Sequence, residues 1–78
     1  MVKIVFSNHA LIKISQRKLL KPLVVETIKN PDFIKPSYNF REERYKKIKK
    51  NYLKVVLVKE GVLLVVVTVH WVAKFKIK

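Results

Sequence analysis

The sequence predicts an α+β fold, two N-terminal helices packed on an antiparallel sheet, and three observations carry that expectation. Apolar residues recur at helical spacing in the first third of the chain. Val- and Leu-rich runs with strand character fill the second half, and short turn signals, with no linker or repeat, separate the segments. The 78 residues make a single domain with a thin core, because a chain this short buries only about 60% of its unfolded surface.

Residues 3–6 read as a short strand. Ser7 or Asn8 then offers an N-cap acceptor for a helix over 9–20, whose broad apolar side includes Ala10, Leu11 and Ile14. Pro22 suits the opening of a second helix, with Leu23, Val24, Thr27 and Ile28 on its apolar side. Asn30-Pro31 ends that helix, Asn tolerating a left-handed C-terminal conformation and Pro preventing continuation. Residues 33–38 are extended, and Pro36 assigns them to an edge or a bulge, since it cannot donate to a ladder. Residues 39–43 form a turn, and 44–50 a strand for which helix is the alternative. Residues 52–59 and 62–71 are the strongest strands, turning at Glu60-Gly61 and lying mid-sheet. Ala73, Phe75 and Ile77 alternate with Lys, as a half-buried strand or paired tail does.

Charge narrows the classes of function. Eighteen Lys and Arg against five Asp and Glu give a net +13. Such charge attracts polyanions and says nothing about fold. Nucleic acid, an acidic protein partner and a lysine-rich thermophile surface compete as its source. Thermophile surfaces usually match Lys with Glu; here they are unmatched, which favours a polyanion. The absence of Cys excludes a disulfide framework and a thiolate metal site. The longest apolar stretch, 62–73, contains Thr68 and His70 and falls short of the roughly 20 residues a spanning helix needs. No membrane association is expected, and with no cleavable leader in view the expected compartment is the cytoplasm.

Residues 41–50 concentrate the charge, with Arg41, Arg44, Lys46, Lys47, Lys49 and Lys50 around Tyr45. On a strand, Arg44, Lys46 and Lys50 share one face and Lys47 and Lys49 the other. Cations on a rigid sheet suit phosphates, and Tyr45 suits base stacking. The bland alternative is an exposed strand kept soluble by lysine. Lys13, Arg41, Tyr45, Lys47, Lys49, Lys50 and Lys54 are therefore the candidate RNA-binding residues.

The acids, Glu26, Asp32, Glu42, Glu43 and Glu60, are too scattered for paired-carboxylate catalysis, and two His with so few acids make no convincing metal site. Neither metal nor other cofactor is expected. RNA cleavage asks for less, because the 2′-hydroxyl is an internal nucleophile. A His suits the proton transfers and Arg or Lys the charge growing on phosphate. The candidate catalytic residues are His9, Arg17, Arg44, Lys46 and His70. His9 and Arg17 lie eight residues apart, about 12 Å along a helix, too far to bond directly. Each also has a structural reading, His9 bonding an adjacent strand and Arg17 satisfying helix-end carbonyls. Without a bulge, Lys59 opposes Val62, Leu53 opposes Thr68, and His70 shares a largely apolar face with Thr68, Val66 and Leu64. That placement suits a core-edge histidine as well as a catalytic one. Trp71 then points the other way and packs.

Phe6-Ser7-Asn8-His9-Ala10, with Arg17 eight residues after the His, resembles the F-[ST]-x-H-A…R opening of a family of small toxin-like domains. That family is similar in architecture to the RelE, ParE and HigB toxins. Asn30-Pro31, the basic segment and Val65-Val66-Val67-Thr68-Val69 also fit, and the resemblance runs from Ile4 to about Trp71. It implies a β-α-α-β-β-β fold and the toxin of a type II toxin–antitoxin system. It further implies metal-independent endoribonuclease action on mRNA, often on the ribosome, and an acidic antitoxin covering a basic groove. His9 and Arg17 match the family opening; Arg44 and Lys46 match only the general idea of basic sheet residues. The family opening often has Gly-Ile after the Arg, where this chain has Lys18-Leu19. The end reads as strand, unlike the RelE C-terminal helix with its catalytic Tyr, and ParE-like relatives act on gyrase. A non-catalytic module of the same fold, holding RNA or an acidic protein, is the alternative. A thermophile structural protein is a third reading, and a homodimer stays open.

Overall fold

The computed structural model describes residues 3–73. Strand β1 (Lys3–Phe6) leads into helices α1 (Asn8–Gln16) and α2 (Lys21–Lys29). Strands β2 (Phe33–Pro36), β3 (Arg41–Ile48), β4 (Asn51–Glu60) and β5 (Leu63–Val72) follow. The α+β expectation holds, with four strands after the helices where the β-α-α-β-β-β pattern has three. All five form one sheet in the order β1-β5-β4-β3-β2. The fully antiparallel expectation is corrected at one edge, where β1 runs parallel to β5 with Ile4 beside Leu64. A tight hairpin forces antiparallel neighbours, but β1 reaches β5 through both helices and three strands, so no turn dictates its direction. The Pro36 strand β2 lies at the other edge, and β4 and β5 lie inside, as expected. Phe75 and Ile77 lie outside the described residues, and Ala73 is a bend after β5.

α1 stops at Gln16, not at residue 20. The Leu19 N–H donates to the Ile14 carbonyl at 2.9 Å and the Lys18 N–H to Ser15 at 3.2 Å, with Lys18 at φ 54°. This closure needs a left-handed residue just past the helix, normally Gly. α2 begins at Leu20 without a side-chain cap and carries Pro22 in its first turn. It ends at Asn30, whose φ of −132° is not the expected left-handed value. Pro31 explains the difference, since a residue before proline is pushed towards extended backbone. The β3–β4 turn is Lys49-Lys50, between the paired Ile48 and Asn51, so these lysines leave the strand expected over 44–50. The β4–β5 turn is Gly61-Val62, one residue later than expected, with Gly61 at φ 60°.

Both helices cover one face of the sheet. Ala10, Ile14, Leu19, Val24 and Ile28 meet Leu53, Val55, Leu57, Val66 and Val69, each such burial of a Val, Leu or Ile worth about 1.5–3 kcal/mol. Trp71 packs against this core, opposite His70 as expected, but beside Leu64 and Val66, which were expected on the His70 face. No helix among the described residues is long and apolar enough to cross a membrane.

The register of β5 positions everything that follows. Val55 faces Val69 and Val56 faces Thr68, yet Leu57 faces Val66, leaving Val67 as the extra residue of a β-bulge. The bulge resets the side-chain alternation. Leu64 and Val66 before it, and Val69 and Trp71 after it, all join the helix-side core. Thr68 and His70 are thereby turned to the far face. The bulge-free pairing is corrected accordingly, with Lys59 facing Leu64, Leu53 facing Trp71 and Lys54 facing His70.

Candidate nucleic-acid interface

Ser7 caps α1, its hydroxyl accepting the Ala10 N–H at 3.1 Å. The same hydroxyl donates to the Val67 carbonyl at 3.1 Å, and the Ser7 N–H donates to Val66 at 3.0 Å. α1 therefore continues from β1 alongside the second half of β5. Ala10 and Ile14 point into the core, leaving His9, Lys13 and Arg17 on another side of the helix at intervals of four residues.

α1 packs along β5, the strand that carries His70. The imidazole is half-buried, and burial holds it below its ordinary value of 6.5. Repulsion from Lys54, Arg17, Lys13 and His9 pushes the same way. Lys54 sits directly across the ladder from His70 and also reaches Glu43 at 3.7 Å. Thr68, on the same face, keeps its Oγ1 buried with no hydrogen-bond partner among the described residues. The cluster thus joins a neutral, proton-accepting imidazole to cations that stabilise an anion, an arrangement suited to a phosphodiester.

Arg44 and Lys46 are elsewhere, on the helix side of β3. Arg44 Nη1 donates to the Ile28 carbonyl at 2.6 Å, and its Nε bonds the Glu42 carboxylate. Lys46 Nζ donates to the Asn30 carbonyl at 3.0 Å. Both satisfy the end of α2, which is a sufficient structural reason for their positions. The five candidate catalytic residues are therefore split, with His9, Arg17 and His70 together and Arg44 and Lys46 apart.

The candidate RNA-binding residues divide in the same way. Lys13 and Lys54 belong to the cluster. Lys47 is exposed on the far face, and its N–H bonds Asp32 at 2.7 Å. Lys49 and Lys50 occupy the β3–β4 turn, where they line a hollow with Lys18 and Trp71, and Arg41 is exposed at the start of β3. Tyr45 is only 4% exposed. Its ring stacks on Phe33 with centroids 5.0 Å apart, and its hydroxyl donates to Glu43 at 2.8 Å. Burial, and then the Glu43 carboxylate, raise the Tyr45 phenol far above its ordinary value. Burial alone would raise Glu43, but the bonds from Tyr45 and Ser37 and the charges of Lys54 and Lys35 outweigh it and hold the carboxyl low. Tyr45 is thus a packed, locked side chain.

Sequence reasoning missed two features. Ser7 was visible as a cap but not as the anchor of the bulge, a contact spanning 60 residues. Tyr38 and Phe40, at the β2–β3 turn, are 88% and 98% exposed. The turn expected over 39–43 is shorter, since Arg41, Glu42 and Glu43 already pair in β3, and no motif marked its aromatic residues. No protein-family model, curated protein or solved structure matches the chain.

Proposed function

We propose that the chain is a toxin-like, metal-independent endoribonuclease that binds mRNA through the far face of its sheet. The observation that carries this reading is that α1, which carries His9, Lys13 and Arg17, packs along β5, where His70 faces Lys54 of β4. His70, held neutral, accepts the proton of a ribose 2′-hydroxyl as that oxygen attacks the adjacent phosphorus. Arg17, Lys13 and Lys54 stabilise the charge on the phosphoryl oxygens. The P–O5′ bond breaks, and His9 supplies the proton to the departing oxygen. The products are a 2′,3′-cyclic phosphate and a 5′-hydroxyl. The RelE/ParE resemblance supplies the ribosome as the setting and an acidic antitoxin as partner. Lys18, left-handed just after Arg17, stands where the family opening often carries Gly, which supports the same local geometry.

Primer extension on mRNA from a cell-free translation reaction tests this reading, with a naked-RNA control. New cleavage ends that disappear with His70→Ala and Arg17→Ala, and persist with Lys46→Gln, are the expected result. Active translation with no new ends would reject cleavage.

A non-catalytic module is the second reading, and one observation favours it. An apolar hollow of about 420 Å³ on the helix side is lined by Ile4, Ile28 and Leu64 and rimmed by Lys29, Arg44 and Lys59. Its apolar floor and basic rim fit an acidic amphipathic segment, the chemistry expected of an antitoxin.

A further inference from the structure

We infer that the β2–β3 turn is a base-stacking tip that extends the RNA site, an inference resting on the RNA reading above. The turn is tight. The Arg41 N–H donates to the Tyr38 carbonyl at 3.1 Å, and the Ser37 N–H to Arg41 at 2.9 Å. Its central residues, Asn39 and Phe40, both have positive φ, 59° and 60°, as a type I′ turn requires. Asn suits that backbone; Phe does not, and Gly is the usual residue at the second position. The Phe40 ring is 98% exposed and Tyr38 is 88% exposed, so neither contributes appreciable burial to the core. An aromatic residue placed at a strained backbone position and left hydrated stabilises little within its own chain. The surface it can stabilise is a partner's.

Charge selects the partner. Lys35 and Arg41 are exposed around the turn. The nearby acids are engaged, Glu42 by Arg44 and Lys59, and Glu43 by Tyr45 and Lys54. Flat rings on a short rigid turn among cations fit the unstacked bases of single-stranded RNA, whose backbone the cations attract. Position agrees. Tyr45 pairs with Lys54, which faces His70, and Arg41 lies four residues further along β3. Two strand spacings of about 4.8 Å and four residues at about 3.3 Å put Arg41 about 16 Å from His70, so a few nucleotides join a phosphate at His70 to bases at the tip.

The test is fluorescence anisotropy with an end-labelled 12-nucleotide single-stranded RNA, read at several salt concentrations for the full chain. Variants are Tyr38→Ala, Phe40→Gly and, for the phosphate cluster, Lys54→Gln. Each ring variant is expected to bind about ten-fold more weakly with an unchanged salt slope, since stacking is lost and no phosphate contact is. Phe40→Gly is expected to melt no lower than the wild type, because Gly suits the turn, which separates lost binding from lost folding. Lys54→Gln is expected to flatten the salt slope. Tight binding by the wild type and equally tight binding by both ring variants would overturn the stacking tip alone and reassign it to a protein contact. No binding by the wild type would overturn the tip and the RNA reading together.

Discussion

The Ser7 hydroxyl donates to the carbonyl of Val67, the bulged residue that turns Thr68 and His70 away from the core, across 3.1 Å and 60 positions of sequence. One side chain therefore starts α1 and fixes the bulge that turns the imidazole to the far face. Ser7→Ala removes the cap and leaves the Val67 carbonyl without that donor. A loss of about 1–2 kcal/mol in urea unfolding is expected. The His70 ring resonances should shift as the bulge relaxes.

Left-handed residues are a second source of testable differences. With a single Gly in the chain, Lys18, Asn39, Phe40 and Lys49 take positive φ. Lys18→Gly should stabilise the protein by up to about 1 kcal/mol, because the left-handed conformation costs an ordinary residue roughly that much. A higher melting temperature with unchanged RNA affinity is the expected outcome. Gly61→Ala should do the opposite, losing about 1 kcal/mol although an added Cβ meets nothing within 4 Å, because the penalty lies in the backbone at φ 60°.

Much of this fold was legible in the sequence. Periodicity marked both helices, Pro36 marked an edge strand, and the Val-rich runs marked the sheet centre. The bulge was not legible, because all the residues from Leu63 to Val67 are aliphatic and no alternation reveals where parity breaks. That hidden step separates a His70 facing the core from one facing Lys54. The roles of Arg44 and Lys46 were equally hidden. Their charge is visible in the sequence, but the α2 carbonyls that bind them are 16 residues away in each case.

The separation of the two basic groups can be read from stability against binding. Arg44→Met leaves the Ile28 carbonyl without that donor and Glu42 with only the exposed Lys59 as its partner. A loss of roughly 1–3 kcal/mol is expected, with little change in RNA affinity. Neutralising Lys13, Arg17 or Lys54 should change stability little and lower the magnitude of the salt slope of RNA binding by about 1 each.

His70 predicts a pH dependence. Its folded-state value is lowered, so between that value and the unfolded 6.5 the unfolded chain binds more protons. Its contribution to stability is complete above 6.5 and is lost as pH falls through the folded value. Glu43, also lowered, acts only below its ordinary 4.5, so the loss that begins as pH falls below 6.5 belongs to His70. His70→Gln should flatten the upper step and leave the lower one. An anion bound beside His70 relieves the repulsion from Lys54, Arg17, Lys13 and His9, so RNA should raise the His70 value in an NMR titration.

The most direct measurement is an NMR titration of isotope-labelled protein with a short single-stranded RNA, following backbone amides and imidazole resonances together. RNA lying across the far face predicts early, saturable shifts at His9, Lys13, Arg17, Lys54 and His70, with Arg44 and Lys46 nearly still. Shifts concentrated at Lys29, Arg44 and Lys59 while the His70 ring stays unchanged would contradict it, and would place the polyanion in the hollow beside α2.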